Sequence, residues 1–258
     1  MAKSLQKALW RQCLKTKNKN NKVFIIHRLD RETSGLVMFA KSQKAKNLFN
    51  ANCISHDLKV KLIYTSLAFE YPSINANVVE EVLSGSKNEY STLVVNQSNA
   101  LEFIISMVTN NEELTENKLK DLHEILMKDI LEVSGLYRNV DISIKGSNHT
   151  PPSHIKVYDR MGKYFDYLAQ TQTDLLEYIS YSHLQLAKVH PFLDGNGRCA
   201  RLILNYELMM NGFAPVYILP EERNEYYNTL EEFKVNKDSN PFKQFLLKLE
   251  DRTLNELA

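Results

Sequence analysis

A base, a carboxylate, a glycine-rich turn and two arginines occur within the twelve residues from His190 to Arg201. The turn Gly195-Asn196-Gly197 lets the backbone adopt positive φ and direct consecutive N–H groups to one side, which forms a nest for phosphate oxygens. The apolar periodicity after residue 198 predicts a helix, so the nest lies at an electropositive helix N-terminus. These residue types indicate a site that handles nucleotide phosphates.

The other polar residues of this segment supply the rest of the chemistry. Arg198 and Arg201 are three apart and share a face of the first helical turn, where both can bind phosphate oxygens. Asp194 is a hard oxygen ligand of the kind that Mg²⁺ accepts beside phosphates. His190 is an imidazole that could deprotonate an incoming hydroxyl. The set predicts transfer of part of a nucleotide to a hydroxyl group.

A structural turn, a calcium loop and a zinc site are the alternatives. A histidine before a proline is usually a helix C-cap, and Asp-Gly-Asn-Gly alone is usually a turn. Aligning Gly197 with the glycine of an EF-hand loop places Phe192 and Ile203 at the first and last ligand positions, where neither can bind Ca²⁺. His190 has no second histidine or cysteine at zinc-ligand spacing. The complete set therefore favours the phosphate site.

Residues 190–201 resemble the Fic (filamentation induced by cAMP) family, whose motif reads His-Pro-Phe-x-Asp/Glu-Gly-Asn-Gly/Lys-Arg-x-x-Arg, and every position of that motif is met. The resemblance implies a mainly α-helical fold with a β-hairpin flap. It also implies transfer of AMP from Mg-ATP to a Ser, Thr or Tyr hydroxyl of a target protein, with release of pyrophosphate. Gly197, where kinase-like members have Lys, favours adenylylation.

The resemblance also implies a role for each position. His190 is the general base and Asp194 the Mg²⁺ ligand, while Gly195, Asn196 and Gly197 form the anion hole. Arg198 holds the β-phosphate side and Arg201 the γ-phosphate. Tyr226, Tyr227 and Asn236 resemble the family's adenine-side residues, although two tyrosines on a helix are often core or rim residues instead.

The segment from Gly135 to Gly146, followed by Pro151-Pro152, alternates apolar and polar residues before a Gly-Ser-Asn turn. This pattern predicts a β-hairpin between helices. In Fic proteins a similar segment, here about residues 137–150, is the flap that pairs its backbone with an extended segment of the target. We therefore expect a target protein to bind the flap residues Ser143, Ile144, Lys145 and Gly146; an ordinary hairpin is the alternative.

A second resemblance concerns regulation. Residues 62–71 resemble the family's inhibitory helix, with pattern Ser/Thr-x-x-x-Glu-Gly/Asn, and Ser66 and Glu70 are four apart on one helix face. The resemblance implies that Glu70 pairs with the second motif arginine, Arg201, so that ATP binds unproductively. Tyr71 departs from the pattern. The alternatives are an amphipathic helix with a solvated Glu70, and a Glu70 that positions water to remove AMP again.

Residues 1–60 resemble a fragment of another family. Val23–Ile26 predicts a buried strand, and the His27-Arg28-Leu29-Asp30 sequence that follows resembles the catalytic signature of RluA-type RNA pseudouridine synthases. That enzyme needs a domain of roughly two hundred residues. The sequence therefore favours a strand-containing appendage on a Fic-like domain of residues 61–258 over a second active site at Asp30.

Composition limits the remaining possibilities. Seven Lys or Arg residues lie between Lys3 and Lys22, which could attract RNA or mark a transit peptide, but the net charge of the chain is only +1. The three cysteines show no disulfide or metal spacing, so the cytoplasm is expected, and no run is long enough to span a membrane. Helical periodicity recurs at Ala100–Thr109, Lys118–Leu131, Leu175–Val189, Arg198–Met210, Glu222–Phe233 and Pro241–Leu249.

The sequence therefore predicts a mainly helical protein adenylyltransferase that uses ATP and Mg²⁺ and is inhibited by its own Glu70. It acts on a target protein held at the flap, with self-modification and a homodimer as further expectations. The alternatives are a de-AMPylase, another nucleotidyl or phospho-moiety transferase of the same fold, and a module that only binds RNA or nucleotide.

Overall fold

A computed structural model of the chain describes residues 24–25, 39–40, 54–170 and 174–256. A short strand β1 (Phe24–Ile25) pairs antiparallel with β2 (Phe39–Ala40), with Phe24 opposite Ala40 and Ile25 opposite Phe39. Strand β1 lies within the predicted strand Val23–Ile26. Asp30 and the basic residues from Lys3 to Lys22 lie outside the described residues.

Between residues 54 and 256 the described chain is helical, which confirms the predicted mainly α fold. It contains nine α-helices and two 3-10 turns, the latter at His154–Lys156 and Pro220–Glu222. The helices are α1 (His56–Ala68), α2 (Ala76–Leu83), α3 (Ser91–Asn110), α4 (Glu116–Met127), α5 (Val157–Leu168), α6 (Leu175–Val189), α7 (Asn196–Met210), α8 (Arg223–Asn236) and α9 (Asn240–Glu256). None of these helices is long and apolar enough to cross a membrane.

Side-chain caps fix where several of these helices begin. The hydroxyl of Ser55 accepts the N–H of Leu58 at the start of α1, and Thr115 caps α4 in the same way at 3.3 Å from the N of Lys118. Asp174 accepts two backbone N–H groups at the start of α6. Each cap satisfies a donor that has no intrahelical acceptor.

Helix α7 occupies the centre of the domain. It packs against α6, α3, α4 and α1, and thirteen of its fifteen residues are buried. Its polar side chain Asn205 is paired, because it donates to the carbonyl of Val216 at 3.0 Å and accepts from the N–H of the same residue at 2.7 Å. The second half of the segment 190–201 therefore lies on a helix that packs against four other helices.

The predicted β-hairpin of the flap is not formed, since residues 135–153 contain no strand. Two side chains link the arms in place of a ladder. Arg138 donates through Nη1 to the carbonyl of Val140 at 2.9 Å and through Nη2 to the carbonyl of Pro152, and the carboxylate of Asp141 accepts the N–H of His154 at 2.7 Å. The flap is thus a loop whose base is closed by side chains. Because it is not paired with itself, its backbone keeps free hydrogen-bonding groups.

Other boundaries also differ from prediction. Helix α1 ends at Ala68, so Glu70 lies in a turn after the helix rather than on the helix face of Ser66. Helix α4 ends at Met127, four residues before the predicted end, because Lys128 leaves the helical region with ψ of 131° and Asp129 adopts a left-handed φ of 59°. Helix α5 was not predicted, since its apolar residues are interrupted by charges on its exposed face.

Candidate active site

The loop between α6 and α7 carries the first half of the motif and is closed by Asn196. The side chain of Asn196 accepts the N–H of Phe192 at 2.8 Å and donates to the carbonyl of Phe192 at 2.9 Å. Both polar atoms of this amide thus bond inside the loop, while the backbone N–H of Asn196 has no intrahelical acceptor. Phe192 is fully buried and anchors the loop.

His123, on α4, positions this loop and was not identified from the sequence. Its ring stacks on Phe192 with centroids 3.8 Å apart. The N–H of Gly135 donates to Nδ1 at 2.8 Å, so the proton is on Nε2, which donates to the carbonyl of Asp194 at 3.0 Å. Burial lowers the pKa of His123 to about 4, which keeps it neutral. Its only signal in the sequence was its place on the apolar face of α4.

His190 has the protonation state of a general base. Burial lowers its pKa to about 4, with a further contribution from Lys234 and Arg138, so the ring is neutral near pH 7. Nδ1 lies 3.4 Å from the carbonyl of Ala187, which can only accept. The proton therefore lies on Nδ1, and the lone pair is on Nε2. The carbonyl of His190 accepts from Arg138 Nε at 3.0 Å, which fixes the backbone.

Asp194 can act as a metal ligand. Its Oδ1 accepts the N–H of Gly195 at 2.7 Å, while its side chain is 58% exposed, which leaves Oδ2 accessible. No group of three or more His, Cys, Asp or Glu side chains that could hold a metal occurs among the described residues. Mg²⁺ fits this donor set, because it commonly uses one or two carboxylates together with substrate phosphates and water.

The glycines of the turn are required by close contacts. Gly195 has φ of +72°, and a Cβ there would lie 2.7 Å from Sδ of Met127. A Cβ at Gly197 would lie 3.2 Å from Nη1 of Arg201. The N–H groups of residues 196–198 belong to the first turn of α7 and have no intrahelical acceptor. They form an electropositive cradle for an anion.

Arg198 is the strongest indication of an anionic ligand. It is fully buried, yet none of its three guanidinium nitrogens has a hydrogen-bond partner among the described residues. Its Nε lies 3.0 Å from Oε2 of Glu70, an ion pair that lacks hydrogen-bond geometry, and its Nη2 lies 3.9 Å from Oδ2 of Asp194. Buried donors without acceptors are rare and costly. A phosphate would supply the missing acceptors.

Arg201 is held mainly by Ser66. Its Nε donates to Ser66 Oγ at 3.1 Å and its Nη2 to the Ser66 carbonyl at 2.8 Å, and the guanidinium lies 4.6 Å above the ring of Phe69. Glu70 is the more distant partner, with Oε1 3.9 Å from Nη2. The predicted pairing of Glu70 with Arg201 is therefore modified, because the end of α1 at Ala68 turns Glu70 toward Arg198.

The three expected adenine-side residues occupy different environments. Tyr226 is 1% exposed, and its hydroxyl is 2.9 Å from Nε2 of His183, so it is a core residue without a surface for a base. Tyr227 is 41% exposed and packs edge-on against Phe69. Asn236 is exposed at the end of α8, where it donates to Glu232 at 2.6 Å. Of the two tyrosines, Tyr227 alone is exposed, and Arg223 lies 5.4 Å from its ring centroid.

The expected target-binding residues lie at the tip of the flap. Ser143, Lys145 and Gly146 are exposed and Ile144 is half-buried. The carbonyl of Ile144 accepts the N–H of Ser147 at 3.1 Å, and Gly146 has φ of +79°, so the tip is a tight turn. The turn at the tip of the flap is therefore accessible to another protein chain.

Two family models match the sequence. The model described as Fic/DOC family matches residues 113–208, and the model described as RNA pseudouridylate synthase matches residues 2–156. Among curated proteins, the chain is 30% identical over 167 residues to a protein adenylyltransferase Fic of Nematostella vectensis, covering 63% of this chain and 38% of that protein. One from Culex quinquefasciatus is 30% identical over 161 residues. The chain thus spans about a third of the length of these relatives.

Solved structures show the same fold. Fic-1 from C. elegans superposes with a TM-score of 0.71 at 22% identity, over 83% of this chain and 71% of that chain. A Fic domain-containing signaling protein from Bacteroides thetaiotaomicron gives 0.68 at 22% identity, over 84% and 95%. IbpAFic2 in complex with adenylylated Cdc42 gives 0.52 at 17% identity, over 82% and 70%.

Proposed function

Because residues 113–208 match the Fic/DOC family model and residues 2–156 match the RNA pseudouridylate synthase model, we propose that the chain is a protein adenylyltransferase. The observation that carries the proposal is the buried guanidinium of Arg198, without hydrogen-bond acceptors, in the same twelve-residue segment as a neutral His190. An ATP phosphate provides the acceptors, and His190 provides the base. The curated relatives named protein adenylyltransferase support this activity.

The reaction begins when Nε2 of His190 takes the proton of the target hydroxyl. The hydroxyl oxygen then bonds to the α-phosphorus, and the bond from that phosphorus to the bridging oxygen of the β-phosphate breaks. Pyrophosphate leaves on the side of Arg198 and Arg201, whose guanidinium groups compensate its charge. Mg²⁺, held by Asp194 and the phosphates, would supply further charge neutralisation.

In the resting protein, Glu70 opposes this reaction. Its carboxylate lies 3.0 Å from Arg198 and 3.9 Å from Arg201, where it competes with the terminal phosphates for both cations. The phosphates of a nucleotide that binds beside this carboxylate are repelled by its negative charge. The α-phosphate is then not aligned with the attacking hydroxyl. The site is therefore inactive until the turn after α1 moves. Both Arg198 and Arg201 take part in the inhibitory contact.

The acceptor in this proposal is a protein segment that lies along the flap near Ser143–Gly146. The absence of a hydrogen-bonded hairpin leaves backbone groups there for pairing with an extended chain. The complex of IbpAFic2 with adenylylated Cdc42 supports a protein as the acceptor. Self-modification and a homodimer are further parts of the proposal.

The test is labelling with ATP and Mg²⁺, with the protein itself as acceptor. Wild type is expected to label weakly, Glu70→Gly strongly and His190→Ala not at all. Glu89→Gly, which removes an exposed carboxylate outside the site, serves as the matched control and should behave as wild type. Equal labelling of wild type and Glu70→Gly would refute the inhibition, and labelling of His190→Ala would refute the mechanism. Intact mass after incubation with ATP, UTP or CDP-choline identifies the transferred group.

A further inference from the structure

The carboxylate of Glu231, on α8, binds the turn of the flap through both of its oxygens. Ser147 Oγ donates to Oε2 at 2.7 Å, and the backbone N–H of Asn148 donates to Oε1 at 2.7 Å. The same Ser147 hydroxyl accepts the N–H of His149 at 3.1 Å. Glu231 therefore restrains three consecutive residues directly after the flap tip.

A second contact ties this arm of the flap to the helix that precedes the catalytic base. Nε2 of His149 lies 3.1 Å from the carbonyl of Lys188 and must donate, since a carbonyl only accepts. Lys188 is in the last turn of α6, two residues before His190, and its Nζ donates to the carbonyl of Lys234 on α8 at 2.9 Å. The flap arm, α6 and α8 are thus joined beside His190.

The Glu231 contacts are those of a charged group. Burial opposes ionisation, but the hydrogen bonds from Ser147 and Asn148, with Lys234 and His149 nearby, lower the pKa of Glu231 overall. Hydrogen bonds to an ionised acceptor are shorter and about twice as strong as neutral ones. The restraint on the flap is therefore present throughout the neutral pH range.

We propose that Glu231 is a positioning residue that holds the flap at a fixed height over His190, so that a bound protein segment presents its hydroxyl to Nε2. The inference rests on the proposed function. The arm facing α8 is fixed by Glu231, whereas the tip at Ser143–Gly146 stays exposed for the incoming chain. Glu231 makes no contact with the phosphate-binding turn, so its loss affects the acceptor and leaves nucleotide binding intact.

Hydrogen–deuterium exchange of the full chain tests the attachment. In Glu231→Ala, the amides of residues 144–149 are expected to exchange roughly tenfold faster, as loss of a hydrogen bond to a charged group implies. The control is Glu225→Ala, which removes an exposed carboxylate of the same helix that pairs with Lys248 at 2.8 Å. It should leave exchange of the flap unchanged. Unchanged flap exchange in Glu231→Ala would overturn the proposed restraint.

Self-labelling tests the catalytic consequence. In the Glu70→Gly background, Glu231→Ala is expected to lower the labelling rate about tenfold for the same loss of restraint, with no change in the ATP concentration that gives half the maximal rate. Glu231→Gln keeps an acceptor for Asn148 and should recover most of the rate. An unchanged labelling rate would refute the positioning role. So would an equally large change in the ATP concentration that gives half the maximal rate. If Glu70→Gly itself does not label, the adenylyltransferase proposal fails, while the exchange experiment still decides the attachment.

Discussion

Replacing Glu207 should reveal a buried carboxyl group that weakens the fold at alkaline pH. Glu207 is on α7 and is 3% exposed, and its Oε1 accepts the hydroxyl of Tyr178 at 3.3 Å. Burial raises its pKa from 4.5 to about 8, although the hydrogen bond from Tyr178 favours the charged form. The group is therefore neutral in the folded protein at pH 7.

The sign of the pH effect follows from proton binding in the two states. Below pH 4.5 the carboxyl is protonated in both, so it adds no pH dependence. Between pH 4.5 and 8 the unfolded chain releases the proton while the folded protein retains it, so the free energy of unfolding falls as the pH rises. At about 1.4 kcal/mol per pKa unit, the loss reaches at most about 5 kcal/mol above pH 8.

Urea denaturation of wild type and Glu207→Gln at pH 5, 7 and 9 measures this effect. Glutamine has nearly the same shape and stays neutral, so its free energy of unfolding should exceed that of wild type increasingly from pH 5 to pH 9, by a few kcal/mol at the upper end. Glu89→Gln, which neutralises an exposed carboxylate, should follow wild type. Parallel pH curves for wild type and Glu207→Gln would refute the reasoning.

Three further outcomes are expected. Gly195→Ala should abolish labelling and lower the free energy of unfolding by about 1–3 kcal/mol, because its φ of +72° and the contact with Met127 both oppose a side chain; a fully active variant would contradict this. Burial lowers the pKa of His183 to about 4. The stability that its neutral ring contributes is therefore complete above pH 6.5 and is lost as the pH falls toward 4. His183→Gln should flatten this decline in acid-denaturation curves. Tyr227→Ala should weaken binding of an ATP analogue by roughly 5–100-fold, as loss of a ring that stacks on the base implies. Tyr226→Phe should lower the melting temperature and leave this binding unchanged. The reverse pattern would exclude Tyr227 as the residue that stacks on the base.

The glycine turn and helix start within residues 190–201 could be predicted from the sequence because they depend on local backbone geometry. A glycine turn followed by a helical pattern already places the nest, the arginines and the carboxylate within one turn of each other. Caps such as Thr115 are local in the same sense, because acceptor and donor are three residues apart.

The sequence was insufficient where a contact depends on how distant elements end and pack. Whether Glu70 meets Arg198 or Arg201 depends on the helix end at Ala68, which no local signal marks. His123 and Glu231 act across the fold, so neither has a partner at a recognisable spacing. The alternation in the flap predicts strands, but it cannot show that the side chains of Arg138 and Asp141 link the arms instead of a ladder.

The contact between Arg201 and the carbonyl of Ser66 has a consequence for how the proposed inhibitory contact varies among proteins. A backbone acceptor is offered by every amino acid, so replacing Ser66 removes the 3.1 Å contact with Oγ but leaves the 2.8 Å contact with the carbonyl. Part of the restraint on the arginine is thus independent of side-chain identity at position 66. Relatives that differ there can retain the same hold on the arginine, and a comparison of their residues at that position would not reveal it.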